Sequence, residues 1–438
     1  MRKHTPHTQF GDSRRSGLWK MAVLAIAGAL VLAGCGSGSS GSGSSSSAKT
    51  MTFWLSASDA QAAGYYDMAK DFKAKTGITV KIVNVPYDAY QTKLRQAAQA
   101  NSLPDSASVP DLDPIWTNKL QDLTSIASSS PVNKAFVVKS PDGKLLTIPS
   151  DVTAAGLFIN KSLFDKAKVA YPTDPAQTWT WDDFLAAIDK VRKAAGAKYD
   201  MVYDASPSRL KAYIYEHGGK GFQLGSDGKF EATPGTADLL DSFAKLNNDV
   251  IMPKSVWGSG GDPNALFKSG QVVAYFSGVW QVADFAESIT KFDWAAVPTP
   301  AQPTHATDLN TGGHVVAFDN GGGKAKAALK WVQFMFDPAN YTKLAETNGY
   351  LPILTGLDLK YPFTNQTALD AFALYNKEIS LADPISASGH ATQMKLSLGG
   401  KSVADDPTKA EMAKLINGQQ DAQKTADNVV AGLNQQIG

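Results

Sequence analysis

Cysteine is almost absent from this chain. Cys35 is the only one in 438 residues, so no disulfide can form within it and the fold must be held by packing. Charge of one sign is also lacking: 42 Lys and Arg face 41 Asp and Glu, which argues against nucleic acid or an anionic membrane as the main partner. The longest apolar run, Met21 to Ala33, is shorter than the roughly 20 residues that a membrane-crossing helix needs. The six histidines are too scattered for a zinc site. Nucleophile and metalloprotease motifs of the types G-x-S-x-G and H-E-x-x-H do not occur. The stretch Asn320-Gly-Gly-Gly-Lys324 lacks the earlier glycine of a phosphate-binding loop. Acidic pairs abound, but none stands in a recognisable glycosidase context. No catalytic residue, metal or cofactor is therefore expected.

What is present begins at the N-terminus. Arg2, Lys3, Arg14, Arg15 and Lys20 precede the apolar core, the pattern of a secretory signal. Leu32-Ala33-Gly34-Cys35 resembles the bacterial lipobox, whose cysteine is lipidated and becomes the mature N-terminus. The Gly/Ser tract after it, Gly36 to Ser47, suits a flexible tether. Residues 1–34 are thus expected to be a signal peptide, and 35–48 a lipidated cysteine with its tether. The stretch Ser13 to Lys20 (SRRSGLWK) hints at a twin-arginine export signal and leaves the route open. Five of the 42 basic residues and one of the 41 acidic ones precede Cys35, leaving 37 and 40, a formal −3. Roughly 390 residues follow the tether, more than one hydrophobic core accommodates, so two domains are expected.

Met51–Leu55 is rich in strand formers. Tyr65, Met68, Ala69 and Phe72 then fall at helical spacing, with Gly77 to close the helix. Ile78–Val85 reads as a strand and Tyr90–Asn101 as a helix. This alternation predicts largely parallel sheets covered by helices. A second such region opens near Leu157. Thr180 and Asp183 form a capping-box-like start to a helix burying Phe184, Leu185, Ile188 and Val191. Further helices are predicted at Thr236–Asn248, Pro263–Ser269, Val279–Ile289, Lys324–Phe336 and Thr408–Gln436.

Several of these segments carry a resemblance. Met68 to Asp105 (MAKDFKAKTGITVKIVNVPYDAYQTKLRQAAQANSLPD) resembles the opening of the extracellular solute-binding proteins of ABC importers, in the carbohydrate-binding group that includes maltose-binding protein. IPSDVTAAGLFINKSLFDKA, TWTWDDFLAA, LFKSGQVVAYFSGVWQVADF, AAVPTP, GGHVVAFD and GYLPI continue it in order. The likeness covers nearly all of the chain after the tether. It implies an α/β, two-lobed periplasmic-binding-protein-like fold (type II) whose lobes are joined by three hinge crossings. By position the crossings are expected near Ile148–Thr153, Trp294–Pro298 and Asp337–Thr342. One lobe would take 49–149 and 299–337, the other 150–298 and 338–438. It further implies a monomer, anchored outside the cell by its lipid, that captures a sugar by lobe closure and delivers it to an ABC transporter permease. A non-sugar solute such as a polyamine, glycerol phosphate or metal chelate is the alternative. An extracellular glycoside hydrolase or lyase is a more distant one.

Sugars present apolar C–H faces and a rim of hydroxyls, so aromatic rings and carboxylates are the residues to seek. Trp280 leads: it follows Ser277-Gly278 after a predicted strand and matches the family's G-x-W tryptophan, which commonly stacks on sugar. Trp54, near the end of the first strand, is a candidate or a core residue. Asp59, in the loop after it, is a hydroxyl acceptor or a helix cap. Asp111 and Asp113 sit in the Pro-rich loop after the third strand, where a turn or cap is the other reading. Trp257 lies in a Gly-rich loop and is expected to contact ligand. Gly312 and Gly313 would let the backbone approach a ligand closely, with His314 beside them structural. Tyr350 occupies the family's cleft-facing loop, and His390 matches a position where relatives place an aromatic. Asp151 or Thr153 at the first crossing completes the set.

Overall fold

The structure, a computed structural model, describes residues 48–56, 59–301, 304–403 and 405–437. Cys35 and the signal lie outside them. The strands are β1 (Thr50–Leu55), β2 (Thr79–Asn84), β3 (Ser106–Val109), β4 (Ile148–Pro149), β5 (Thr153–Asn160), β6 (Tyr199–Tyr203), β7 (Phe222–Leu224), β8 (Phe230–Ala232), β9 (Val272–Gly278), β10 (Trp294–Val297), β11 (Leu309–Asn310) and β12 (His314–Ala317). They form one sheet in the order β2-β1-β3-β12-β4 and a second in the order β10-β5-β9-β6, with β11 beside β5. β7 and β8 make a small hairpin apart.

Each sheet is the centre of one α/β lobe. β1 buries Met51, Phe53 and Leu55 on one face, while Trp54 packs on the other, against the cluster around Tyr90 and Trp116. β5 and β9 are buried almost throughout, as strands covered on both faces must be. Gly156 of β5 is small because a Cβ there would run into the Tyr375 ring. The sheets are mixed, not largely parallel: β12 runs antiparallel to β3 and β4, and β9 and β10 antiparallel to β5.

The helix Trp181–Ala195 forms for local reasons. The Thr180 side chain accepts from the Asp183 N–H at 3.0 Å, and its hydroxyl donates to the Asp183 carboxylate at 2.8 Å, so a first-turn donor is satisfied. Gly196, at φ 77°, ends it. The long helix expected over Thr408–Gln436 is instead two, Thr408–Ile416 and Ala422–Ile437. Gly418 takes a positive φ of 70° between them. The turn is fixed by Gln420, which donates to the Glu411 carboxylate at 3.0 Å and to Thr425 Oγ1 at 2.8 Å.

The chain first passes from one sheet to the other between Pro149 and Thr153. The other two crossings differ from those expected. After β10 the chain stays with the second sheet: Thr299 donates its N–H and hydroxyl to Glu378, each at 3.1 Å, and β11 pairs with β5. The return to the first sheet therefore falls between Asn310 and His314. The helix Pro338–Asn348 packs on Asp59–Thr76 of the first lobe, where Gly64 N–H donates to Asn348 Oδ1 at 3.0 Å. The last crossing thus follows Asn348. We assign 50–149 and 314–348 to the first lobe, and 153–310 and 366–437 to the second.

Candidate functional site

The three crossings meet around a hollow of about 190 Å³. Asp151, on the first, is buried and accepts from the Ser150 hydroxyl and from the Gly312 N–H on the second. Burial pushes its carboxyl up to about 6, and these two donors hold it back from rising further. Tyr350, on the third crossing, is hydrogen-bonded through its side chain to Tyr65. Burial raises both phenols, that of Tyr65 to about 12. The glycine pair has a packing reason: a Cβ on Gly312 would run into the Asp151 carboxylate, and one on Gly313 would stand 2.6 Å from Ser108 Oγ. The close approach at this pair is that of the Asp151 and Ser108 side chains.

Trp280 stands at the edge of the same hollow. β9 ends at Gly278, and Trp280 is the residue before the helix Gln281–Ser288. Its ring folds against Gly278, where any Cβ would overlap it, which explains the glycine two residues ahead. It remains 39% exposed, unusual for a tryptophan of this chain. The Arg209 guanidinium lies over it at 4.3 Å from the ring centroid. Asp204, just after β6, accepts from the Tyr275 hydroxyl at 2.5 Å and the Ser277 hydroxyl at 2.6 Å. Burial raises its pKa and those hydroxyls oppose the rise.

A larger hollow of about 620 Å³ opens between the lobes. Asp111 and Asp113 line it from the first lobe, Lys211 and Gln393 from the second. Asp113 caps the helix Pro114–Thr117, accepting from Ile115 N–H at 3.0 Å, and pairs with Arg95 Nε at 2.5 Å. Asp111 accepts from Gln393 across the opening. Its burial raises its pKa, and Gln393 acts in the opposite sense. Burial works against the charge of Lys211, but Asp308, Tyr215 and Asp406 outweigh it and raise its pKa.

Two expected contacts lie in the interior. The segment holding Trp257 is a helix, Lys254–Ser259, closed by Gly260 at φ 75°. It turns the indole inward, edge-on to Phe243 at 5.1 Å, with 2% exposure. His390 is also 2% exposed and stacks on His314 of β12, centroids 5.4 Å apart and rings 6° from parallel. Burial holds the two imidazoles down, to about 4 and about 3. Trp54 lines neither hollow. Asp59 opens the helix Asp59–Thr76, and its side chain lies outside the described part.

Sequence reasoning passed over Arg209, Lys211, Tyr65 and Arg95. Ser206-Pro207 directly after β6 was the available signal for the first two: a capping serine and an N1 proline at a strand end announce a helix starting at the sheet edge. Among the described residues no three His, Cys, Asp or Glu gather to hold a metal.

Two α/β lobes around a lined cleft are the architecture of a solute-binding protein. Residues 67–373 match the family described as bacterial extracellular solute-binding protein, and the chain belongs to that family. The resemblance drawn above to the binding proteins of ABC importers is borne out. The galactooligosaccharide-binding protein of Bacillus subtilis is 25% identical over 257 residues, 54% of this chain and 57% of that one. The cyclic alpha-maltosyl-1,6-maltose binding protein from Arthrobacter globiformis superposes with a TM-score of 0.66 at 22% identity, covering 89% of this chain and 98% of that one. A substrate-binding protein from Listeria monocytogenes, solved with cycloalternan, gives 0.68 at 21% identity over 88% and 98%.

Proposed function

We propose that this protein captures a saccharide between its lobes and delivers it to an ABC transporter permease, without making or breaking a bond. The observation that carries this reading is Trp280. It is a half-exposed aromatic face at the strand edge of one lobe, beside hydroxyls and a carboxylate from the crossings to the other. Such a face matches the C–H side of a pyranose, and its polar neighbours match the hydroxyl rim. The relatives named above bind oligosaccharides, which agrees with it. Capture works by population shift: the ligand touches both lobes only when they are closed and so stabilises that state. The anchor is the lipid on Cys35, with the Gly/Ser tract as tether.

Two outcomes are expected. In a detergent two-phase partition the wild type should enter the detergent phase, and Cys35→Ser should leave it while keeping the wild-type melting temperature. If both partition alike, the lipid reading is wrong. In a saccharide panel on that Cys35→Ser chain, the right ligand at 100 times its Kd should add about 2.7 kcal/mol of stability. The same ligand should lower the radius of gyration by X-ray scattering. A saccharide that stabilises without compaction would mean capture without closure.

A further inference from the structure

The charges around the cleft are unevenly satisfied. The carboxylates in and near it have donors from their own chain, Asp406 among them, which takes the Thr408 N–H. Asp113 has Arg95, Asp111 has Gln393, Asp204 has the Tyr275 and Ser277 hydroxyls, and Asp151 has Ser150 and the Gly312 N–H. Asp308, buried below them, takes the Ser208 hydroxyl. The cations of the second lobe are not so placed. Among the described residues the Arg209 side chain donates to the Ser206 hydroxyl at 3.3 Å and makes no ion pair, with its plane over Trp280, although Asp204 and Asp308 lie near enough to feel its charge. Lys211 makes no ion pair and no hydrogen bond among the described residues, although Asp308 and Asp406 lie near enough to favour its charge. A Cβ on Gly389 would stand 3.3 Å from Lys211 Nζ. The ammonium thus fits against the backbone of Gly389 on the wall of the larger hollow.

We infer that the ligand is an acidic oligosaccharide, with one anionic group held by Arg209 beside Trp280 and another by Lys211 in the larger hollow. This rests on the saccharide reading above and deepens it. Arg209 and Lys211 are two apart on the helix Pro207–Glu216, so they point to different sides of it. They therefore mark two positions along a ligand that runs from the smaller hollow into the larger. A guanidinium lying on a tryptophan offers its edge donors to a planar carboxylate beside the ring. An ammonium serves as a point charge and accepts a carboxylate or a phosphate alike. A neutral sugar would leave both cations without a directly bonded anionic partner in a closed cleft, with only the carboxylates of Asp204, Asp308 and Asp406, unbonded to them, to offset their burial.

The test is titration calorimetry on the full chain in detergent micelles with trigalacturonate, neutral galactotriose and galactose 6-phosphate, in low and high salt. Trigalacturonate should bind at least about tenfold tighter than galactotriose, a gap of about 1.4 kcal/mol, and the gap should narrow as salt rises. In Arg209→Gln and in Lys211→Met the ratio should fall towards one, with apo melting temperatures showing which variants are folded. Binding of galactose 6-phosphate in preference to the uronide would keep the anionic site and name phosphate as its group. Neutral saccharides binding as tightly as the acidic one would overturn the inference and leave the saccharide reading standing. If no saccharide of either kind binds, that reading falls and this inference with it.

Discussion

Replacing Trp257 with alanine should destabilise the unliganded protein by about 3–5 kcal/mol, the cost of emptying a tryptophan-sized site in a core. That is a large share of the roughly 5–15 kcal/mol that holds a typical domain together. The position explains the size. Trp257 is 2% exposed and edge-on to Phe243, and its helix packs against Thr408–Ile416, so this short helix joins two distant parts of the second lobe. Phenylalanine should restore most of the loss. The indole N–H has no hydrogen-bond partner among the described residues, and removing a buried unpaired donor offsets part of the lost volume. Chemical unfolding without ligand reads the effect, and saccharide affinity of the folded protein should stay at the wild-type value. Wild-type stability with lost affinity would return Trp257 to the binding site.

This residue also shows where sequence reasoning stops. Gly258, Gly260 and Gly261 just after it suggest a loop, yet a six-residue helix fits between Pro253 and Gly260, and only the register of that helix decides that the indole faces inward. The signals that held were local. Thr180 and Asp183 are three residues apart and make the cap they suggest, and the G-x-W spacing reports a ring lying on its own glycine. The contacts that the sequence does not announce are long-range. Asp111 meets Gln393 across 282 positions, and His390 meets His314 from another lobe. Neither contact leaves a periodicity to read. Two of the three crossings fall elsewhere than expected for a similar reason. Thr299 looks like a strand end leaving its lobe, and only its bonds to Glu378, 79 residues on, keep the chain with the second sheet. Arg209 and Lys211 were legible in principle, since a Ser-Pro helix start after a strand places its first turn at the cleft.

Trp280→Ala should do the reverse of Trp257→Ala: little loss of unliganded stability and a fall in saccharide affinity of tenfold or more. The ring is 39% exposed and already faces the cleft, so its removal leaves no closed cavity in the apo protein. What it loses is a stacking face, and each 1.4 kcal/mol forfeited in the complex weakens Kd about tenfold. A second loss follows from Arg209, whose guanidinium rests on that ring at 4.3 Å. Without the ring it loses a cation–π contact worth about 0.5–1 kcal/mol at an exposed site, and with it a fixed orientation. Phenylalanine at 280 should recover part of both effects, because a smaller ring still stacks on sugar and guanidinium. Leucine should recover little, since it fills space without offering a face. The separation lies in measuring apo melting temperature and saccharide Kd for all three variants. If Trp280→Ala unfolds the apo protein while Trp280→Leu binds like wild type, the ring is core packing and the stacking platform must be sought at Tyr350 or Tyr65.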